Sequence, residues 1–246
     1  MIHILTVHYK SIDWIPVQYR YINKYIKNYK IYSFIDQVKF TPWPFEFDLH
    51  YKEASNITYD KWGAMEHALK LDALVSKIKD PKDDDILMFL DGDAFPIKPV
   101  DDYVNELLLK YEFISVVRQE MNHTFPHPSL SVCRYGCWRQ YNMTWLPGEC
   151  ENIDVEIDDP GVILENRIHD HNVKWKKLLR TKSLDDHPVF FGIYDNILYH
   201  HTAGFRDKIT RWDLQNSDLN SNQIQRANNS DSIRVFNNIK RDKYWW

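Results

Sequence analysis

The run Ile86-Leu-Met-Phe-Leu90 constrains the fold more than any other stretch of the chain. It is apolar on both faces, which places it in the interior of a sheet covered on both sides. Comparable runs occur at Ile2 to Val7, Ile31 to Ile35 and Phe113 to Val117. Between them lie segments of helical period. Val17 to Tyr29 carries Tyr, Ile and Val at helical spacing, and Lys61 to Ile78 has apolar residues at 65, 68, 69, 71, 74, 75 and 78. Pro99 to Tyr111 begins with proline and acidic residues, as helices do. Residues 1–120 therefore alternate strand and helix. The pattern predicts an α/β fold with a mostly parallel central sheet and helices on both faces. In such sheets ligands bind beyond the carboxyl ends of the strands.

The remainder is less regular. Residues 37–60 hold Pro42, Trp43 and Pro44 and read as loop. Residues 121–160 are irregular and rich in Cys, Trp and Tyr, Val173 to Arg180 reads as a short basic helix, and Val189 to Tyr199 as a strand. From Asp207 onward the chain is polar. The expected organisation is one domain over residues 1–210, with residues 211–246 as a polar extension that packs on it or hangs partly free. A length of 246 residues suits one large domain or two small ones.

Hydrophobic residues at 43% and charged residues at 27% exclude a disordered or collagen-like chain. A net charge of −4 argues against a nucleic-acid binder. The aromatic content of 15% suits flat amphipathic ligands such as sugars and bases. Met1 leads straight into a strand-like run without a basic leader, and no apolar run spans a bilayer, so the expected location is cytoplasmic. Cys133, Cys137 and Cys150 read as reduced thiols, with a zinc site or a disulfide as alternatives.

The chemistry concentrates at Asp91-Gly92-Asp93, directly after the apolar run. Residues i and i+2 of an extended chain point the same way, and two carboxylates that close repel unless a cation lies between them. Oxygen ligands of this kind suit Mg²⁺ or Mn²⁺, which bridge phosphates. The plainer alternative is a solvated turn. Far along the chain, the strand-like segment from Phe190 ends in His200-His201, followed by Gly204 and Arg206. Imidazole is a good Mn²⁺ ligand, glycine opens backbone N–H groups to an anion, and arginine grips phosphate.

This combination resembles the GT-A fold glycosyltransferases, the nucleotide-diphospho-sugar transferases, whose signature is an Asp-x-Asp motif after a central strand. Within them it looks closest to the glycogenin-like and lipooligosaccharide galactosyltransferase group. That group carries a Tyr-x-Arg, a Gly-Val-Leu-Leu-like strand and a late His-x-x-Gly. The counterparts here are Tyr59-Asp60-Lys61, Gly161-Val162-Ile163-Leu164 and His201-Thr202-Ala203-Gly204. Lys61 stands where the group has Arg, only Arg206 or Lys208 answers its late Lys, and about the last 40 residues match nothing in it.

The resemblance implies a Rossmann-like nucleotide-binding half joined to an irregular acceptor-side half. It implies a Mn²⁺ or Mg²⁺ ion held by Asp91, Asp93 and His201, with His200 in reserve. It implies a nucleotide-sugar seated by Thr6, His8, Tyr9, Asp36, Lys61, Asp91, Gly204 and Arg206, with UDP-sugar the first choice and GDP-sugar the second. The catalytic carboxylate would be Asp186 or Asp185, ahead of Asp158 and Asp159. Trp43, Trp138, Trp145 and Trp212 are candidates for stacking on an acceptor sugar or for the core. Trp245-Trp246, with Arg234, Lys240, Arg241 and Lys243 before it, would either touch a membrane surface or fold back.

Two rivals remain. Metal-dependent phosphatases of the haloacid dehalogenase type also use Asp-x-Asp, but on their first strand and followed closely by Thr or Val. Here it follows the third strand-like segment and precedes Ala94-Phe95. A non-catalytic carbohydrate-binding protein would explain the aromatics and leave the acidic pair without a role.

Overall fold

The computed structural model describes residues 1–9, 13–36, 49–51, 63–120, 123–149, 156–157, 160–183, 191–201 and 232–243. In chain order its elements are β1 (Ile2–Tyr9), α1 (Trp14–Tyr25), β2 (Tyr29–Asp36), β3 (Leu49–Tyr51), α2 (Gly63–Ser76), β4 (Ile86–Asp91), β5 (Ala94–Pro96), α3 (Asp101–Leu108), β6 (Phe113–Glu120) and β7 (His123–Arg134). There follow α4 (Tyr135–Gln140), β8 (Gly148–Glu149), β9 (Glu156–Ile157), α5 (Val162–Asp170), β10 (Trp175–Leu178), β11 (Arg180–Ser183), β12 (Gly192–Tyr194), β13 (Leu198–His200) and a C-terminal helix, α6 (Ser232–Lys240).

Seven strands form the main sheet in the order β10-β6-β7-β4-β1-β2-β3. All run in one direction except β7, which opposes both of its neighbours. The pleat sends alternate side chains to opposite faces. Leu5, Val7, Leu87 and Phe89 meet Leu71 and Leu74 of α2, Trp138 of α4 and Leu164 of α5 on one face. Ile2, Ile4, Ile86, Met88 and Leu90 meet Ile22 of α1 and Val104 of α3 on the other. The apolar run is thus buried on both sides, and its central ring anchors one layer: Phe89 packs against Trp138 and Trp145.

A second sheet, β11-β12-β13-β5, is antiparallel. It rests on a third apolar cluster, in which Trp14 and Tyr21 of α1 meet Phe95, Tyr199 and the inner face of α6. Arg20 ties down the end of α6 by donating to the carbonyls of Lys240 at 3.1 Å and Ile239 at 2.8 Å. α6 is therefore fastened to α1.

Five stretches differ from the sequence expectation. The first helix ends at Tyr25, and Asn28, at φ 50°, turns the chain into β2. Residues 121–160 hold the twelve-residue strand β7. Val173 to Arg180 is extended, because the lysines of β10 occupy a sheet edge, where charge is tolerated. Val189 to Tyr199 is interrupted at Asp195 and Asn196, both left-handed, which fold it into the β12–β13 hairpin. The Gly161-Val162-Ile163-Leu164 segment opens α5 and is not a strand. Gly161 takes φ 109°, and a Cβ there would lie 2.1 Å from the Pro126 carbonyl oxygen. Among the described residues no helix is long and apolar enough to cross a membrane.

Candidate metal centre

The sheet order β3-β2-β1-β4 reverses direction between β1 and β4. At such a switch point the connections diverge and leave a crevice beyond the carboxyl ends of the strands. Asp91 closes β4 there, paired with Val7 of β1, and Gly92-Asp93 continues the turn. Gly92 is required by contact: a Cβ on it would sit 2.7 Å from His8 Nδ1 and 2.8 Å from the Val7 carbonyl oxygen. His8 is buried directly under the turn, and Thr6, also buried, donates to Gln18 Oε1 at 3.2 Å. The Gln18 amide in turn donates to the carbonyls of Asp91 at 2.7 Å and Ala94 at 2.8 Å. One buried side chain of α1 thereby fixes both ends of the acidic turn.

Strand pairing brings the imidazole. β5 follows the turn, β13 pairs with β5, and His200 lies opposite Ala94. Its Nε2 is 3.4 Å from Asp91 Oδ2 and 3.3 Å from Asp93 Oδ1. His201 points elsewhere, because successive strand residues face opposite ways. Its Nδ1 meets the Tyr199 hydroxyl at 2.7 Å and its ring packs on Trp14 and Phe191. Burial pushes the His201 imidazole down to about 3, against the pull of Asp93 and with the push of His200, so the ring is neutral. His200, the reserve ligand of the sequence reading, takes the place expected of His201.

Two further imidazoles arrive without having been foreseen. His127 Nδ1 lies 3.7 Å from Asp91 Oδ2, and His67 Nε2 of α2 lies 3.3 Å from Asp91 Oδ1. Burial alone would raise the Asp91 carboxyl. The His67 contact and the charges of His127, His67 and His200 outweigh burial and hold it well below the usual carboxylate range. Asp93 is held down in the same way: burial raises it, and His200 prevails.

The donor set fits a metal ion. Ligand atoms of Asp91, His127 and His200 all lie within 4.8 Å of one another. At metal–ligand bonds of about 2.1 Å, neighbouring ligands stand about 3.0 Å apart in an octahedron and about 3.4 Å apart in a tetrahedron. Asp91 Oδ2 stands 3.4 Å from His200 Nε2 and 3.7 Å from His127 Nδ1, near that spacing. Among the described residues no other group of three such side chains comes this close. No family model matches the chain, and no curated protein matches its sequence.

The remaining expected residues are dispersed or lie outside the described residues. Tyr9 and Asp36 are paired across the ends of β1 and β2, with only their backbone described. Lys61, Asp158, Asp159, Asp185, Asp186, Gly204, Arg206 and the Trp245-Trp246 end lie outside the described residues, as do Trp43, Trp212 and Cys150. Trp138 and Trp145 belong to the core. Cys133 and Cys137 are free thiols. A cleft of about 650 Å³ lined by Arg134, Cys137 and Arg139 lies at the amino end of β4, away from the acidic turn. Arg139 there is already paired with Asp83.

Proposed function

We propose that the protein is a metal-dependent glycosyltransferase of GT-A type. It would move a sugar from a nucleoside-diphosphate donor, UDP-sugar first and GDP-sugar second, to a glycan, lipid-linked or protein acceptor. The observation that carries this reading is that His200 Nε2 faces Asp91 at 3.4 Å and Asp93 at 3.3 Å, at the switch point between β1 and β4. That crevice is where α/β sheets bind nucleotides, and a cation bridged by two carboxylates is how proteins hold a diphosphate. The Asp-x-Asp position after the central strand supports the same family.

In the reaction, the acceptor hydroxyl oxygen bonds to the anomeric carbon as that carbon's bond to the terminal phosphate oxygen breaks. The hydroxyl proton passes to a base, and the nucleoside diphosphate leaves. A divalent cation bound here would neutralise charge that builds on the leaving diphosphate. Asp91, Asp93 and His200 would hold it. Gln18 keeps the two carboxylates in register, and buried His8 supports the turn from below.

The test is calorimetric titration with UDP- and GDP-sugars, with and without Mn²⁺, for the wild type and Asp93→Ala. A donor-panel assay scoring release of UDP or GDP accompanies it. Binding that needs the ion and is lost in the variant supports the reading. Equal binding in all conditions, with no donor turned over, removes it.

A further inference from the structure

Resting on the reading that one cation sits between Asp91, Asp93 and His200, we propose that His127 is an additional nitrogen ligand. The centre then selects a nitrogen-seeking transition ion and discriminates against Mg²⁺. An Asp-x-Asp motif with one histidine does not require this. What adds it is an irregularity in β7.

β7 pairs with β6 at Ser131 opposite Ser115, and then at His127 opposite Val116. Residues 128–130 are left over on one strand, so the chain bulges and its next side chain is re-aimed. That side chain is His127. Pro126 and Pro128 flank it, and the Ser131 hydroxyl donates to the His127 carbonyl at 2.9 Å, which holds the segment in place. The His127 and His200 rings stand 5.7 Å apart between centroids, on the same oxygen of Asp91. His67 occupies the other oxygen, so Asp91 presents Oδ2 alone to the centre. A carboxylate held from behind in this way binds an ion through one oxygen.

Two physical arguments set the preference. Mg²⁺ requires a near-octahedral shell at about 2.0–2.1 Å, with neighbouring ligands about 2.9 Å apart, and favours oxygen. With His127 and His200 both facing Asp91 Oδ2, two of the donors gathered here are nitrogens. Imidazole nitrogen favours ions late in the first transition row, in the order Mn²⁺ below Co²⁺, with Zn²⁺ also tight. His127 Nδ1 accepts the Ser129 amide at 3.2 Å, so binding through it exchanges that hydrogen bond for a coordination bond.

Co²⁺ is the probe, because its visible absorption reports ligand number and type. The wild type is titrated with Co²⁺ alone, then challenged with about a hundredfold excess of Mg²⁺. The expected result is an absorption band that Mg²⁺ does not remove and Zn²⁺ does. In His127→Ala the Co²⁺ affinity falls about 10-fold or more and the band shifts. Removal of the band by Mg²⁺ at concentrations near that of Co²⁺ overturns the proposal, as does an unchanged band and affinity in the variant. The competition arm needs only the wild type and stands if the variant fails to fold. Co²⁺ binding with no Mg²⁺ discrimination sinks this proposal alone, whereas no binding of Co²⁺ or Mn²⁺ sinks the metal-dependent reading with it.

Discussion

Gln18 holds Asp91 by its backbone: the side-chain amide donates to the Asp91 carbonyl at 2.7 Å, 73 residues away along the chain. The same amide group reaches the Ala94 carbonyl, and its oxygen accepts from Thr6. All three partners are inside the protein, so water does not replace them if the amide is removed. Gln18→Met keeps the length of the side chain and leaves two carbonyls and a hydroxyl unsatisfied. The expected loss is about 1–3 kcal/mol of stability by denaturant unfolding. Because the acidic turn loosens, Mn²⁺ affinity by calorimetry falls as well. A variant of wild-type stability and wild-type affinity would show that the turn holds itself.

His200 and His201 are adjacent and do different work. His200→Ala removes a nitrogen that faces both carboxylates, so Mn²⁺ affinity is expected to fall by at least about 10-fold. His201→Phe keeps a ring against Trp14 and Phe191 and loses the bond with Tyr199. Its expected cost is about 1 kcal/mol of stability with metal affinity unchanged. Calorimetry and thermal unfolding on the pair separate the two roles. The opposite pattern would restore His201 as the ligand.

Asp72 of α2 gives the fold a pH dependence away from the metal centre. It accepts the Thr144 hydroxyl and, at 3.0 Å, the Trp145 backbone N–H. Burial pushes its carboxyl up to about 6, against the lowering effect of those two bonds. A carboxyl raised in the folded state takes up a proton before the unfolded chain does. Its stabilising effect is complete below the unfolded value near 3.8 and is lost as pH rises through about 6. The size is on the order of 2–3 kcal/mol. Asp72→Asn keeps an acceptor for Trp145, and its NH₂ donates to the Thr144 oxygen, without the charge. The variant is expected to be more stable than wild type at pH 8 and to lose that advantage by pH 4, in urea melts across the range. An advantage that does not vary with pH would remove Asp72 as its source.

The strand–helix alternation of the first 120 residues was legible because each run there is apolar at one period. The buried strand and its Asp-Gly-Asp end were legible for the same reason. β7 was not. Pro126 and Pro128 argue against a central strand, since proline cannot donate to a sheet ladder. The pairings explain how they are tolerated: β4 meets β7 only from Ser131 to Arg134, so the prolines lie beyond its end, next to β6 alone. His127 therefore sat in a segment with no readable register. His67 was hidden differently, as one of several polar residues on α2, beside Glu66, Lys70 and Asp72, with no spacing that sets it apart. The choice between His200 and His201 depended on which strand face meets β5, a tertiary fact that neither neighbour encodes.

Gly92 offers the sharpest test of how tightly the acidic turn is seated. Its backbone is not left-handed, so Gly92→Ala introduces no torsional strain, only a methyl group. That methyl would meet His8 Nδ1 at 2.7 Å and the Val7 carbonyl oxygen at 2.8 Å. The imidazole can swing aside, whereas the carbonyl belongs to β1 and is fixed by pairing with β2 and β4. Overpacking of this kind costs about 1–3 kcal/mol. The turn yields more easily than the sheet, so Asp91 and Asp93 are expected to move apart and Mn²⁺ binding to weaken about 10-fold or more. Adding His8→Ala should relieve the imidazole clash and leave the carbonyl clash, which gives partial recovery of stability. Denaturant unfolding and metal titration of the single and double variants check this. Full recovery in the double variant would assign the whole effect to His8, and no effect in the single variant would show that the turn stands clear of β1.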